Sequence, residues 1–148
     1  MAIPGIRLGY LFCPKEQDAK KVQEQVSEWN VSVIAQRAGI AGMQVLADGT
    51  YLSQARQLLE RERAYLTQSL QELGAKVYPG TANFLLFYED SIDWYAALLK
   101  QKILIRDCSD YAGLSKGFYR IAIRRREENQ VLVETMQAVK EGKEVRWK

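Results

Sequence analysis

Apolar residues recur along this chain with two different periods, and the change comes near residue 75. Upstream the spacing is helical. Residues 15–29 place Ala19, Val22, Val26 and Trp29 on one stripe among lysine, glutamate and glutamine, which predicts an amphipathic helix with one packed face. Residues 31–47 are apolar nearly all round, softened by Gly39 and Gly42, and a helix of that profile expects cover on more than one side. Asp48, Gly49 and Thr50 interrupt the pattern and offer caps. A long amphipathic helix is then predicted over 51–73, carrying Leu52, Ala55, Leu59, Leu66, Leu70 and Leu73 and closed by Gly74. Ahead of these helices, residues 6–12 read as a strand.

Downstream the period is mostly two. Residues 76–78 and 83–88 read as strands flanking a Pro79-Gly80 turn, and residues 92–101 as a helix started near Asp90 or Ser91. Short strands are predicted over 103–106 and 119–123, joined by a return loop over 107–117 rich in Gly, Ser and Asp. A last helix over 127–141 has the stripe Leu132, Met136 and Val139. This order, ββα-ββα, predicts a compact α+β sandwich with its helices on one face of the sheet. The tail, 143–148, is expected to fray, with Trp147 as its candidate anchor.

Candidate chemistry lies on the last two strands. Alternation puts Tyr119, Ile121 and Ile123 on one face of the second and Arg120, Ala122 and Arg124 on the other, so Arg120 stands mid-strand. Arg106 shares a face with Leu104. A guanidinium drawn partly out of water needs an anion, and its planar fork suits a carboxylate or phosphate. Two sources of that anion stay open: a ligand, or an internal partner such as Asp107 or Asp110.

Composition narrows the chemistry further. The 148 residues can form one domain, or one domain with an appendage, and bury roughly 68–70% of the unfolded chain's surface. Hydrophobic residues make up 47% and charged ones 26%, ordinary for a globular protein. A net charge of +3 is too small to imply nucleic acid, and Arg124-Arg125-Arg126 reads as a strand end leading into a solvated helix. No transmembrane run or signal peptide is evident, so no membrane partner and a cytoplasmic location are expected. There is no histidine, and Cys13 and Cys108 lack metal spacing, so no metal site is expected and Cys108 is read as a packed thiol.

Residues 105–129, IRDCSDYAGLSKGFYRIAIRRREEN, resemble the C-terminal domain of the threonine-phosphate decarboxylases, pyridoxal-phosphate (PLP) enzymes of cobalamin biosynthesis, and less closely the histidinol-phosphate aminotransferases. The decarboxylase pattern reads IRDCSN, a glycine-rich turn, RVAVR, then an E-E-N helix start. Arg124 favours it over the aminotransferase, which more often has glycine there. Further resemblances support the family. Residues 3–10, IPGIRLGY, are similar to the stretch that follows the PLP-binding lysine in fold-type I aminotransferases. WNVSVIAQRAGIAGM, residues 29–43, is similar to a helix that packs against the large domain near the dimer interface, and TANF, 81–84, to the start of a strand near the active-site cleft.

The resemblance implies the C-terminal small domain of the aspartate-aminotransferase fold over residues 75–148. A bridging helix over 49–74 and a remnant of the PLP-binding large domain over 1–48, a strand and helices, would precede it. It implies that Arg7 binds the cofactor phosphate, with Gly5 and Gly9 clearing space for close backbone approach. Arg106 and Arg120 would bind the anionic groups of a small amino-acid phosphate substrate, with Asn83 nearby. Asn83 read from its residues alone is a turn-capping amide. The PLP lysine is expected two residues upstream of Met1, so no catalytic residue is expected in this chain and it is expected to be inactive alone. The parent enzyme is expected to be a homodimer. The reading from another class is a non-catalytic interaction domain that binds a partner through its uncovered helix.

Overall fold

The computed structural model describes residues 4–143, so the expectations for the tail from residue 144 and for Trp147 lie outside the described residues. The chain divides into two compact units, Met1–Ser53 and Gln54–Lys148.

In the first unit a 3-10 turn, Pro4–Ile6, leads into an irregular stretch rather than the strand predicted over residues 6–12. A strand needs a neighbour for its N–H and C=O groups, and among the described residues every strand lies beyond residue 75. Helix α1 spans Glu16–Gln23 and ends well before Trp29. It buries no residue, and so short a helix has little to extend it once packing is absent. Trp29, placed by its spacing on a packed stripe, is 91% exposed. Helix α2, Val33–Leu46, is capped by Ser32, whose hydroxyl accepts from the Ala35 N–H at 3.1 Å. Only Ala35 and Gly42 of α2 are buried, whereas Val33, Ile34, Ile40 and Met43 are exposed. Leu8 rests against this helix at Gly39, where an added Cβ would come within 2.7 Å of the Leu8 Cδ2.

The second unit carries the core. Helix α3, Thr50–Glu72, sends Leu66 and Leu70 inward, and Leu73 follows just past its end. Gly74 then adopts φ 87, the left-handed conformation that lets the Ala75 N–H turn back to the Leu70 carbonyl at 2.9 Å. Strand β1, Lys76–Tyr78, pairs with β2, Phe84–Tyr88, and β2 pairs with β4, Phe118–Ala122; the two-residue strand β3, Arg106–Asp107, lies outside β4. All pairings are antiparallel, in the order β1-β2-β4-β3. Helix α4, Trp94–Lys100, starts later than predicted because Asp93, not Asp90 or Ser91, supplies the cap, accepting from the Ala96 N–H at 3.0 Å. Strand β3 is shorter than predicted because its approach still unwinds α4: the Ile103 N–H donates to the Leu98 carbonyl at 3.0 Å and Lys102 sits at φ 61.

Helix α5, Arg126–Lys140, closes the ββα-ββα order expected from the sequence. Leu85 and Phe87 of β2 and Tyr119 and Ile121 of β4 meet Leu66, Leu70, Trp94, Leu98, Leu132, Val133 and Met136 in one core. The helices therefore back one face of the sheet and leave the other open. No helix among the described residues is long and apolar enough to cross a membrane.

Candidate active site

The open face of the sheet carries the two arginines. In β4, Tyr119 and Ile121 point into the core, so Arg120 between them points the other way. Its neighbour across β2 is Leu86 and its neighbour across β3 is Arg106. Directly opposed residues share a face, so both guanidinium groups leave the sheet on one side. The Cys108 N–H donates to the Phe118 carbonyl at 2.9 Å. Two positions along, Arg106 and Arg120 are thus a hydrogen-bonded pair, with Cα atoms about 5.5 Å apart. Like charges so placed repel, and the arrangement calls for negative charge nearby.

Arg106 has such a charge within the chain. Its Nη2 donates to the Asp110 Oδ2 at 2.8 Å, and its guanidinium carbon lies 5.4 Å from the centre of the Tyr111 ring. The charge of Asp110, then the ionisable hydroxyl of Tyr111, hold the Arg106 pKa above its ordinary value. Arg120 differs. Its guanidinium lies 4.9 Å over the Phe84 ring, and among the described residues no carboxylate comes within ion-pair distance of it. The two sources of anion left open by the sequence are thus divided, Asp110 serving Arg106 and nothing described serving Arg120.

Both arginines line a cleft of about 940 Å³, together with Asn83, Phe84, Tyr95, Leu104 and Asp110. Asn83 is exposed, and it does not act as a turn cap: its carbonyl accepts from the Ile123 N–H at 2.9 Å, and its amide has no partner among the described residues. The loop that returns from β3 to β4 is shaped locally. Asp107 Oδ1 accepts from the Ser109 N–H at 2.9 Å, and Gly117, at φ 96, passes so close to Tyr88 and Asp90 that a Cβ would lie 2.9 Å from each side chain. Cys108 is buried beneath. Burial pushes its thiol pKa up, against a lesser pull from Arg120 and Arg106, so it is a packed thiol.

Arg7 belongs to the first unit, exposed and with its backbone left-handed at φ 57. Among the described residues the close approach expected at Gly5 and Gly9 is not made, since a Cβ at either would meet nothing within 4 Å.

Sequence reading missed the support beneath the arginine face. Glu62 of α3 is fully buried, accepting from Arg126 Nε at 3.0 and 3.2 Å, Asn129 Nδ2 at 3.0 Å and Arg61 Nε at 3.1 Å. Its neighbour Arg63 reaches the carbonyls of Ala82 and Phe84, on either side of Asn83. A signal was present: Glu62 and Asn129 occupy positions on the Leu59-Leu66 and Leu132-Met136 stripes where an apolar residue is expected.

This small antiparallel sheet, backed by helices on one face and carrying basic side chains on the other, matches part of the class I aminotransferase fold. The chain belongs to the aminotransferase class I and II family, whose sequence model matches residues 1–136. Threonine-phosphate decarboxylase of Salmonella typhimurium is 37% identical over 144 residues, 95% of this chain and 39% of that protein. Histidinol-phosphate aminotransferase of Nitratidesulfovibrio vulgaris is 30% identical over 139 residues, 93% of this chain and 36% of its own length. The crystal structure of the histidinol-phosphate aminotransferase from Clostridium acetobutylicum superposes with a TM-score of 0.85 at 29% identity, covering 94% of this chain and 42% of that one. The chain thus spans less than half the length of these relatives.

Enzymes of this family depend on PLP. The cleft tests that against its own residues. Its lining holds two guanidiniums, an amide and the hydroxyls of Tyr95 and Ser109, with no lysine among them, so it offers no amine to the aldehyde of the cofactor.

Proposed function

We propose that this chain is the substrate-anchoring C-terminal part of a PLP-dependent threonine-phosphate decarboxylase of cobalamin biosynthesis. Arg106 and Arg120 receive the anionic end of the substrate, Asn83 lines the same wall, and Arg7 neutralises the cofactor phosphate. The observation that carries this reading is the placement of two like-charged side chains directly opposite each other on the uncovered face of the sheet. Such a pair favours nearby anions, and Asp110 meets only Arg106, leaving Arg120 without a carboxylate among the described residues.

PLP, when bound, serves as the electron sink for the bond broken beside the substrate nitrogen. The contribution of this chain is geometric. Two forks converging from neighbouring strands fix the direction of the bound anion, while the buried Glu62 cluster ties α3 to the turn after β4 and Arg63 ties it to the start of β2, the strand paired with β4. The complete enzyme, on this reading, is a cytoplasmic homodimer that acts on a small amino-acid phosphate.

A second reading, a histidinol-phosphate aminotransferase, is favoured by the close superposition on the Clostridium acetobutylicum enzyme. Arg124 does not decide between them from inside the cleft, because it points to Glu128, at 2.6 and 3.0 Å. The deciding experiment assays a full-length enzyme containing this segment. Carbon dioxide release from threonine phosphate supports the decarboxylase, whereas amino transfer from histidinol phosphate without such release replaces it with the aminotransferase.

A further inference from the structure

Among the described residues Asp110 is the one carboxylate that touches an arginine of the cleft, and its position is unusual in what it offers and what it withholds. The pair it forms with Arg106, at 2.8 Å, is open to water, the two side chains being 49% and 65% exposed. A pair so exposed is weak and exchanges readily. It lies in the cleft itself, on the loop that follows β3, and both partners line the wall that Arg120 shares. Arg120, across the strand pair, lies over the Phe84 ring with no hydrogen-bond or ion-pair partner among the described residues, which leaves the rim of its guanidinium for another acceptor. The second carboxylate of this wall, Asp107, is turned to its own loop through the Ser109 N–H.

The charges can be counted. Arg106 and Arg120 supply two positive charges and Asp110 and Asp107 two negative ones; Asp110 pairs with Arg106 and Asp107 faces its own loop, which leaves Arg120 as the cation with no carboxylate in contact among the described residues. A monoanionic carboxylate satisfies that charge while Asp110 stays in place. A dianionic group that spans both forks does so only where Asp110 lets go of Arg106, since otherwise two anions crowd one cation.

We propose that Asp110 is a resident counter-ion that ranks the two anchors: Arg120 takes a carboxylate directly, and Arg106 joins it for a dianion such as a phosphate only by exchange with Asp110. Asp110 is then a specificity-determining residue of this cleft. The inference rests on the assignment of the two arginines as the anion site.

The test is a titration of the full chain, with arginine side chains labelled, by acetate and by sulfate, following the Nε–H resonances of Arg106 and Arg120 by NMR. In the unsubstituted chain, acetate is expected to shift Arg120 before Arg106, and sulfate to shift both. Asp110→Asn should tighten sulfate binding by about two- to five-fold, the range an exposed ion pair allows, and acetate binding by less. Glu134→Gln, an equal change in net charge on the outer surface of α5, should leave both affinities unchanged. Equal effects of the two substitutions, or acetate engaging Arg106 first, would overturn the role of Asp110 while leaving the arginine site intact. Failure of either anion to move either arginine, in the unsubstituted chain and in Asp110→Asn alike, would remove the anion site itself and this inference with it.

Discussion

Glu62 and Asn129, separated by 67 positions, meet in the interior through a 3.0 Å hydrogen bond from the asparagine amide to the carboxylate. Asn129 also closes the turn after β4, its amide donating to the Arg124 carbonyl at 2.9 Å and its carbonyl accepting from the Arg124 N–H at 3.1 Å. One amide therefore joins α3 to the end of the strand that carries Arg120. Burial by itself would raise the carboxyl pKa of Glu62, but the bonds from Arg126, Asn129 and Arg61 and the charge of Arg126 prevail and hold it below its ordinary 4.5.

This cluster predicts an asymmetry. Removing the cation by Arg126→Met leaves a buried carboxylate short of partners and should cost about 3–5 kcal/mol of stability. Glu62→Gln leaves a guanidinium that is 36% exposed and can be hydrated, and should cost less, about 1–3 kcal/mol. Urea unfolding of the two variants checks this, and an Arg126→Met chain more stable than Glu62→Gln would contradict it.

A pH dependence follows from the same carboxylate. Its folded pKa is lowered, so its contribution is fully present above the unfolded value and is lost as pH falls through the folded one. Between about pH 7 and pH 3, the unsubstituted chain should therefore lose more stability than Glu62→Gln. Parallel losses in the two chains would assign the acid sensitivity to other groups.

Much of the second unit was legible because period and punctuation agreed there. Lys76–Tyr78 fell where alternation placed a strand, Gly74 stopped the long helix, and Tyr119, Ile121 and Arg120 took the faces that alternation gave them. The same reading overextended α1 to Trp29 and drew a strand over residues 6–12, because a stripe or an apolar run shows only that a segment could pack and not whether a partner is there. It placed the start of α4 at Asp90 or Ser91 because several acidic and hydroxyl residues in a row can each cap, and only the fold selects Asp93. The opposition of Arg106 to Arg120 depends on strand register, which the loop between them sets and which no local pattern spells out. Glu62 was not singled out, although its position on the apolar stripe marked it as buried.

The chain of 148 residues should show no turnover of threonine phosphate or histidinol phosphate when supplied with PLP, because the cleft offers guanidiniums and an amide but no amine to hold the cofactor covalently. Borohydride treatment with PLP, followed by peptide mapping, checks this. Stoichiometric labelling of a single lysine would place the active site elsewhere.

Self-association of the chain is expected from α2. Val33 is 73% exposed, Ile34 76% and Met43 68%, and Leu8, Gly39, Ile40 and Ala47 line an apolar groove beside them. Apolar patches of this kind on a monomer tend to be covered, and two copies can cover each other through a symmetric contact. Val33→Glu with Ile34→Lys should shift the chain towards monomer in light scattering. A monomeric unsubstituted chain at high concentration would count against the idea.

Arg120 gives the sharpest test of the site. In a full-length enzyme containing this segment, Arg120→Ala should weaken substrate binding by about 2–5 kcal/mol, since a partly buried charge pair loses one member. Arg120→Lys should recover only part of the loss, because an ammonium is a point charge and cannot present the two parallel N–H groups of the fork. Stability should change little in both, because Arg120 has no ion-pair partner among the described residues and its main packing contact is the half-exposed Phe84 ring. Arg106→Ala should also weaken binding, because it lowers the net charge facing the ligand and leaves Asp110 as an unpaired carboxylate in the cleft. Substrate affinities and urea midpoints measured on the three variants separate these effects. Unchanged affinity in Arg120→Ala, or a loss of stability that tracks the loss of binding, would make Arg120 a structural residue and leave the cleft without its principal anchor.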